Sequence, residues 1–145
     1  MRLSELARAV GSGHTGGDVE VSGIAVDSRE VRPGDLFVAQ RGVSSDGLEF
    51  VGEAVRRGAV ALCAEAVRDG VPSVVVADAR AAVPRLAAAL YGHPARALRL
   101  IGITGTLGKT STALLVQSAL EASGTGVGVI GSLGVRIRGR VRETG

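Results

Sequence analysis

The sequence predicts an α/β protein built on a mostly parallel sheet. Segments with strand-like and helix-like hydrophobic spacing alternate along the chain, the pattern that gives a sheet covered by helices. Hydrophobic residues make up 46% and aromatics only 2%, so the core has to be filled by Val, Leu, Ala and Ile. Glycine occurs 22 times in 145 residues, which favours many short loops over a long helical bundle.

The elements follow in order. Leu3, Leu6, Ala7 and Val10 have helical spacing, so residues 4–10 form a short helix stopped by Gly11. "GSGHTGGD" (11–18) reads as a flexible loop, and "VEVSGIAVDSR" (19–29) alternates as a strand does. "RPGD" (32–35) is a turn, in which Pro33 fixes φ and Gly34 permits the reversal. "LFVAQ" (36–40) is a short strand and "RGVSSDG" (41–47) a second loop. "LEFVGEAVRRG" (48–58) places Leu48, Val51 and Val55 on one helical face and ends at Gly58. "AVALCAE" (59–65) and "PSVVVAD" (72–78) are unbroken apolar runs, which suit strands covered on both faces. Asp78 is a good N-cap for a helix over 79–92, with Pro84 best placed if the first turn begins near Ala82; otherwise it kinks the helix. Gly92 and Pro94 end it.

That α/β unit is complete near residue 97, and a new cycle begins. "LRLIGIT" (98–104) reads as a buried strand, 105–109 as a loop, 110–123 as a helix stopped by Gly124, and "GVGVIGS" (126–132) as another strand. The chain thus divides into a first α/β domain, residues 1–97, and the opening of a second, residues 98–145. One strand–helix–strand unit buries too little to stand alone, so the sequence is expected to be part of a longer polypeptide.

Composition narrows the function classes. The net charge of +3 suits an anionic ligand but is a weak argument for nucleic acid. Cys63 is the only cysteine, which excludes an internal disulfide and reads as a small buried hydrophobe. No stretch approaches the roughly 18 consecutive apolar residues of a membrane span, and "MRLSELARAV" lacks the apolar block of a signal peptide. The expectation is a cytoplasmic protein without membrane, nucleic-acid or obligate protein partners. His14 and His93 lack companions that would make them metal ligands, and Phe37 and Phe50 are most simply core. "VRIRGRVRE" (135–143) alternates Arg136, Arg138, Arg140 and Arg142 against apolar residues, which puts the arginines on one face of an extended ribbon around Gly139. A solvated hairpin is the simple reading. A nucleic-acid face is the alternative, and it lacks aromatic residues for stacking.

The run "GITGTLGKTST" (102–112) carries the chemistry. A strand, a glycine loop and Lys-Thr at a helix start form an anion-binding device: loop N–H groups, the free N–H groups of the first helical turn and a lysine converge on phosphate. Lys109 would reach the β- and γ-phosphates of a nucleotide, and Thr110 would offer its hydroxyl to Mg²⁺. At Gly105 and Gly108 a Cβ would keep phosphate from the backbone. The strict pattern G-x-x-x-x-G-K-[ST] is not met, because Ile103 holds the first glycine's place. A glycine-rich turn with a surface lysine is the competing reading.

"IGITGTLGKTST" resembles the ATP loop of the Mur ligases, roughly TGTNGKTT, which departs from the strict spacing in the same way. Residues 26–65 resemble the N-terminal domain of the branch that adds the third peptide residue, "LYGHPARALRLIGITGT" its bridge into the ATP domain, and "VGVIGSLG" the strand after the helix. The likeness extends over nearly the whole chain from about residue 19. It implies that 1–97 bind the UDP substrate and that 98–145 begin the central ATP-binding domain. The implied reaction uses ATP to phosphorylate the free D-glutamate carboxylate of UDP-N-acetylmuramoyl-L-alanyl-D-glutamate. The amine of diaminopimelate or lysine then attacks the acyl phosphate, and phosphate leaves.

By the same resemblance, Gly105, Thr106, Leu107, Gly108, Lys109, Thr110 and Ser111 line the ATP site, with Lys109 in the catalytic role and Thr110 toward Mg²⁺. Ser28 of "DSR" matches a uridine contact directly, although Asp27-Ser28-Arg29 also reads as a plain turn with an Asx hydrogen bond. Val26 and the loop Val43-Ser44-Ser45 fall at the other uridine positions by alignment, with different side chains. Leu107 stands where the family usually has Asn and can neither donate nor accept a hydrogen bond, which implies weakened use of ATP. The family's acidic metal ligand, catalytic lysine and amino-acid-selecting domain would lie beyond residue 145, so this polypeptide alone is not expected to catalyse ligation. The alternatives are a non-catalytic nucleotide or UDP-sugar-binding module and another amide ligase of the superfamily.

Overall fold

The computed structural model describes residues 1–42, 46–137 and 140–142. They form two compact units, Met1–Arg99 and Leu100–Gly145.

The first unit is the α/β sheet that the alternation predicts. Its elements are α1 (Leu3–Ala9), β1 (His14–Thr15), β2 (Gly23–Ala25), β3 (Asp35–Val38), α2 (Val51–Arg56), β4 (Ala61–Ala64), β5 (Ser73–Val75) and α3 (Ala79–Leu90). The strand order is β1-β5-β4-β3-β2. Neighbouring strands from β2 to β5 run parallel, and β1 closes the edge antiparallel to β5. Period two in β3 and β4 sorts their side chains into two cores. Leu36, Val38, Ala61 and Cys63 face one layer with Leu3, Leu6, Ala79 and Leu86 of α1 and α3. Phe37, Ala39, Leu62 and Ala64 face the other with Val51 and Ala54 of α2. Both faces of the central strands are therefore covered, as their unbroken apolar runs require.

Several expectations change in detail. The loop 11–18 contains the short strand β1, because its backbone can close the free edge of β5. The helix expected over 48–58 starts as a 3-10 turn, Gly47–Phe50, whose Asp46 carboxylate accepts the Leu48 N–H. Its buried face is Val51 and Ala54, and Val55 is exposed. Asp78 caps α3 as expected, accepting the Ala81 N–H at 2.9 Å. The helix nonetheless begins at Ala79, so Pro84 lies inside it rather than in its first turn. Phe37 is core, whereas Phe50 is 41% exposed.

The second unit contains α4 (Lys109–Ala122), β6 (Gly128–Gly131), β7 (Gly134–Ile137) and β8 (Arg140–Arg142). The three strands form an antiparallel sheet in sequence order, and α4 packs on β6. Residues 98–104 are not a buried strand: they pair with no strand among the described residues, and Leu98, Leu100 and Ile101 are each more than 60% exposed. An extended apolar run becomes a strand only when a neighbour takes up its backbone hydrogen bonds.

The hairpin register also revises the arginine ribbon. Arg136 lies opposite Val141, Ile137 opposite Arg140, and Val135 opposite Arg142. Directly opposed residues share a face. Arg136 therefore lies on one face, and Arg140 and Arg142 lie on the other. No single arginine face is formed by these three. Arg138 and Gly139 lie outside the described residues.

Candidate functional site

In the first unit a cleft of about 470 Å³ opens at the C-terminal ends of β2 and β3. Val26, Asp27, Ser28 and Arg29 line it from the β2 side. Phe37, Gln40, Gly42 and Gly47 line it from β3 and the loop that follows, Phe50 and Glu53 from the α2 region, and Arg80 from α3. Crevices beyond the carboxyl ends of parallel strands are the usual ligand sites of such sheets.

Ser28 is buried, and its hydroxyl donates to Glu53 Oε2 at 2.8 Å. That bond, ahead of the Arg57 guanidinium 3.2 Å from Oε1, holds the Glu53 carboxyl below its ordinary range. The Ser28 oxygen keeps its lone pairs for a donor in the cleft. Asp27 caps the 3-10 turn that follows by accepting the Arg29 N–H, and its carboxylate pairs with the Arg29 side chain. Those Arg29 hydrogen bonds lower its pKa to about 2. Gly47 is required where it stands: a Cβ would lie 2.6 Å from the Gln40 carbonyl oxygen and 2.7 Å from its nitrogen. This close approach turns the chain back at the cleft wall.

Of the uridine positions implied by resemblance, the structure puts Val26 and Ser28 in this one cleft. Val43, Ser44 and Ser45 lie outside the described residues. Sequence reasoning missed Gln40, Phe50, Glu53 and Arg80. The available signal was the scarcity of aromatics, since both phenylalanines of the chain line the cleft.

The second unit holds the glycine loop. Gly105 (φ 151°) and Gly108 (φ 78°) both have positive φ, a conformation costly for other residues. Gly108 is the N-cap of α4 and has no side chain to satisfy the helix end. The Thr112 N–H reaches the Gly108 carbonyl at 2.9 Å. The N–H groups of Lys109, Thr110 and Ser111 precede that first helical bond and are the free donors of the turn. The Lys109 ammonium lies over the loop, donating to the Gly105 carbonyl at 2.6 Å and to Thr106 at 3.4 Å. The Thr110 hydroxyl is 3.2 Å from that of Ser132. Leu107 is 92% exposed.

These groups fit a phosphate: free N–H donors, positive-φ glycines and an ammonium all sit at one helix end. The strand expected to lead into the loop is missing, as described above. For a metal ion the loop supplies one hydroxyl at Thr110, and no group of three or more His, Cys, Asp or Glu suited to a metal occurs among the described residues. Among the same residues, no helix is long and apolar enough to cross a membrane.

The family model described as "Mur ligase family, catalytic domain" matches residues 20–100, which contain the whole cleft. The chain belongs to the Mur ligase family. A UDP-N-acetylmuramyl-tripeptide synthetase of Roseiflexus sp. (strain RS-1) is 46% identical over 126 residues, 84% of this chain and 25% of that protein. A UDP-N-acetylmuramoyl-L-alanyl-D-glutamate–2,6-diaminopimelate ligase of Geobacter metallireducens is 43% identical over 141 residues, covering 94% and 28%. Among solved structures, MurF from Acinetobacter baumannii superposes with a TM-score of 0.70 at 30% identity, covering 84% of this chain and 28% of that one. MurF ligase from Thermotoga maritima, solved in complex with ADP, gives 0.57 at 31% identity over 68% and 23%. The chain spans about a quarter of the length of the curated Mur ligases it matches.

Proposed function

We propose that this chain is the substrate-gripping part of an ATP-dependent amide ligase of peptidoglycan synthesis, cytoplasmic and soluble. The ligase adds diaminopimelate or lysine to UDP-N-acetylmuramoyl-L-alanyl-D-glutamate. In this reading residues 1–97 bind the UDP end of the substrate and residues 98–145 begin the ATP-binding domain. The carrying observation is the 43% identity, across 94% of the chain, to a relative named for that reaction.

The residues divide the work. The first-unit cleft binds and orients the nucleotide end, with Ser28 offering its oxygen lone pairs and Glu53 fixing that hydroxyl. Val26 lines the wall, and the family resemblance assigns Val43, Ser44 and Ser45 to the same ligand. Gly105, Thr106, Gly108 and Ser111 cradle the ATP phosphates through the backbone. Lys109 exchanges its two carbonyl partners for the β- and γ-phosphates, a charge-assisted contact stronger than the one it leaves. Thr110 would offer its hydroxyl to Mg²⁺. When bound, ATP supplies the phosphoryl group that activates the substrate carboxylate. The chain's part is positioning and charge neutralisation.

Calorimetric titration of the 145-residue chain tests this. The UDP-linked dipeptide is expected to bind saturably and Mg–ATP weakly. A chain that binds neither is not what this reading allows. Leu107 projects into solvent, so Leu107→Asn leaves the loop's shape intact and adds a hydrogen-bonding group. It is expected to tighten ATP binding several-fold in the same titration, and an unchanged affinity would refute a role for this position.

A further inference from the structure

We propose that Phe50 and Arg80 are the recognition pair of the first-unit cleft: Phe50 is the stacking platform for the pyrimidine ring, and Arg80 takes the phosphate attached to the nucleoside. This rests on the reading that the cleft receives the UDP end of the substrate, and it names two residues that hold it.

Two observations carry the pair. The chain has only two phenylalanines, and both line this cleft. Phe37 is buried at 2% exposure and belongs to the core under α2, whereas Phe50 is 41% exposed and belongs to neither core. A flat apolar face left in water beside polar groups is what a planar base covers, and such stacking tolerates any base. Choice of base falls to neighbouring polar groups, among them Gln40, whose amide carries both donors and an acceptor.

The second observation is the charge balance of the lining. Asp27 is paired with Arg29. Glu53 accepts from Ser28 and Arg57. Arg80 is the one cleft cation with no carboxylate partner among the described residues. Asp78, two residues away, accepts the Ala81 N–H, and Glu65 meets Arg41 and the Ala79 N–H. A guanidinium lining a small-ligand cleft can match phosphate with two parallel donors, which an ammonium cannot do. The volume of about 470 Å³ suits a nucleotide.

The test is calorimetric titration of the whole chain with uridine, UMP and UDP. The variants are Arg80→Gln, Arg80→Lys and Phe50→Leu, with Arg99→Gln as a control and thermal melts confirming that each variant is folded. Arg80→Gln is expected to weaken UDP about tenfold and leave uridine within about twofold, with Arg80→Lys between. Phe50→Leu is expected to weaken all three ligands at least fivefold, and Arg99→Gln none. Equal UDP affinity in Arg80→Gln and wild type overturns the phosphate role, and unchanged uridine affinity in Phe50→Leu overturns the platform. If the wild-type chain binds none of the three, the nucleotide reading of the cleft fails and this proposal falls with it.

Discussion

Asp27 is the carboxylate whose proton affinity the fold changes most clearly. Hydrogen bonds from the Arg29 side chain and backbone lower its pKa from 3.8 to about 2. Because the folded value lies below the unfolded one, the stabilisation is fully present above about pH 4. It is lost as pH falls through about 2, where the folded state also takes up the proton. Asp27→Asn removes this contribution, so the variant's melting temperature is expected to be lower than wild type at neutral pH and to converge on it between pH 4 and 2. A constant gap across that range would mean that the substitution acts through packing instead. Cys63 shows the opposite case. Burial pushes its thiol up to about 12, so at neutral pH it stays protonated and inert, as its apolar surroundings in the sequence suggest. Iodoacetamide is expected to modify it only when the first unit is unfolded with urea; labelling of the native chain at the same rate would contradict its burial.

At the scale of elements, what could be read from the sequence depended on whether the deciding partner was local. Asp78 caps α3 because the partner N–H is three residues away, so the sequence shows it directly. Asp78→Ala is expected to cost about 1 kcal/mol. That corresponds to a melting-temperature loss of about 4–8 °C in a unit of this size, measurable by circular dichroism. β3 and β4 were legible for a different reason: strands covered on both faces need unbroken apolar runs, and few other structures do. The sequence was silent where a distant partner decides. β1 exists because β5 has a free edge, and the span 98–104 is not a strand because nothing described pairs with it. The faces of the hairpin arginines depend on register, which residue spacing alone does not supply. In the cleft, Ser28 was legible through its motif, but Phe50 and Arg80 were not, because only the fold brings α2 and α3 to the ends of β2 and β3.

At the scale of the whole molecule, the two units differ in what holds them. Every buried hydrophobic side chain among the described residues lies between Leu3 and Leu86, in the first unit. In the second, only Gln117 and Gly134 are buried among the described residues, while Leu115, Ile130, Leu133, Ile137 and Val141 are all more than half exposed. Hydrophobic burial is the main force that offsets chain entropy, and a helix on a three-stranded sheet with so little of it is marginal. Protection against hydrogen exchange follows the free energy of local opening. Hydrogen exchange of the 145-residue chain, followed by mass spectrometry, is therefore expected to show slow amides in β3, β4 and α3. The amides of α4 and β6–β8 are expected to exchange at least a hundredfold faster, a ratio corresponding to about 3 kcal/mol. Addition of Mg–ATP should slow the amides of α4 first, since its free N–H groups and Lys109 would meet the phosphates. Addition of UDP should slow those around Ser28 and Phe50 and leave α4 unchanged. Equal protection in the two units would show that the second has a source of stability other than buried apolar surface.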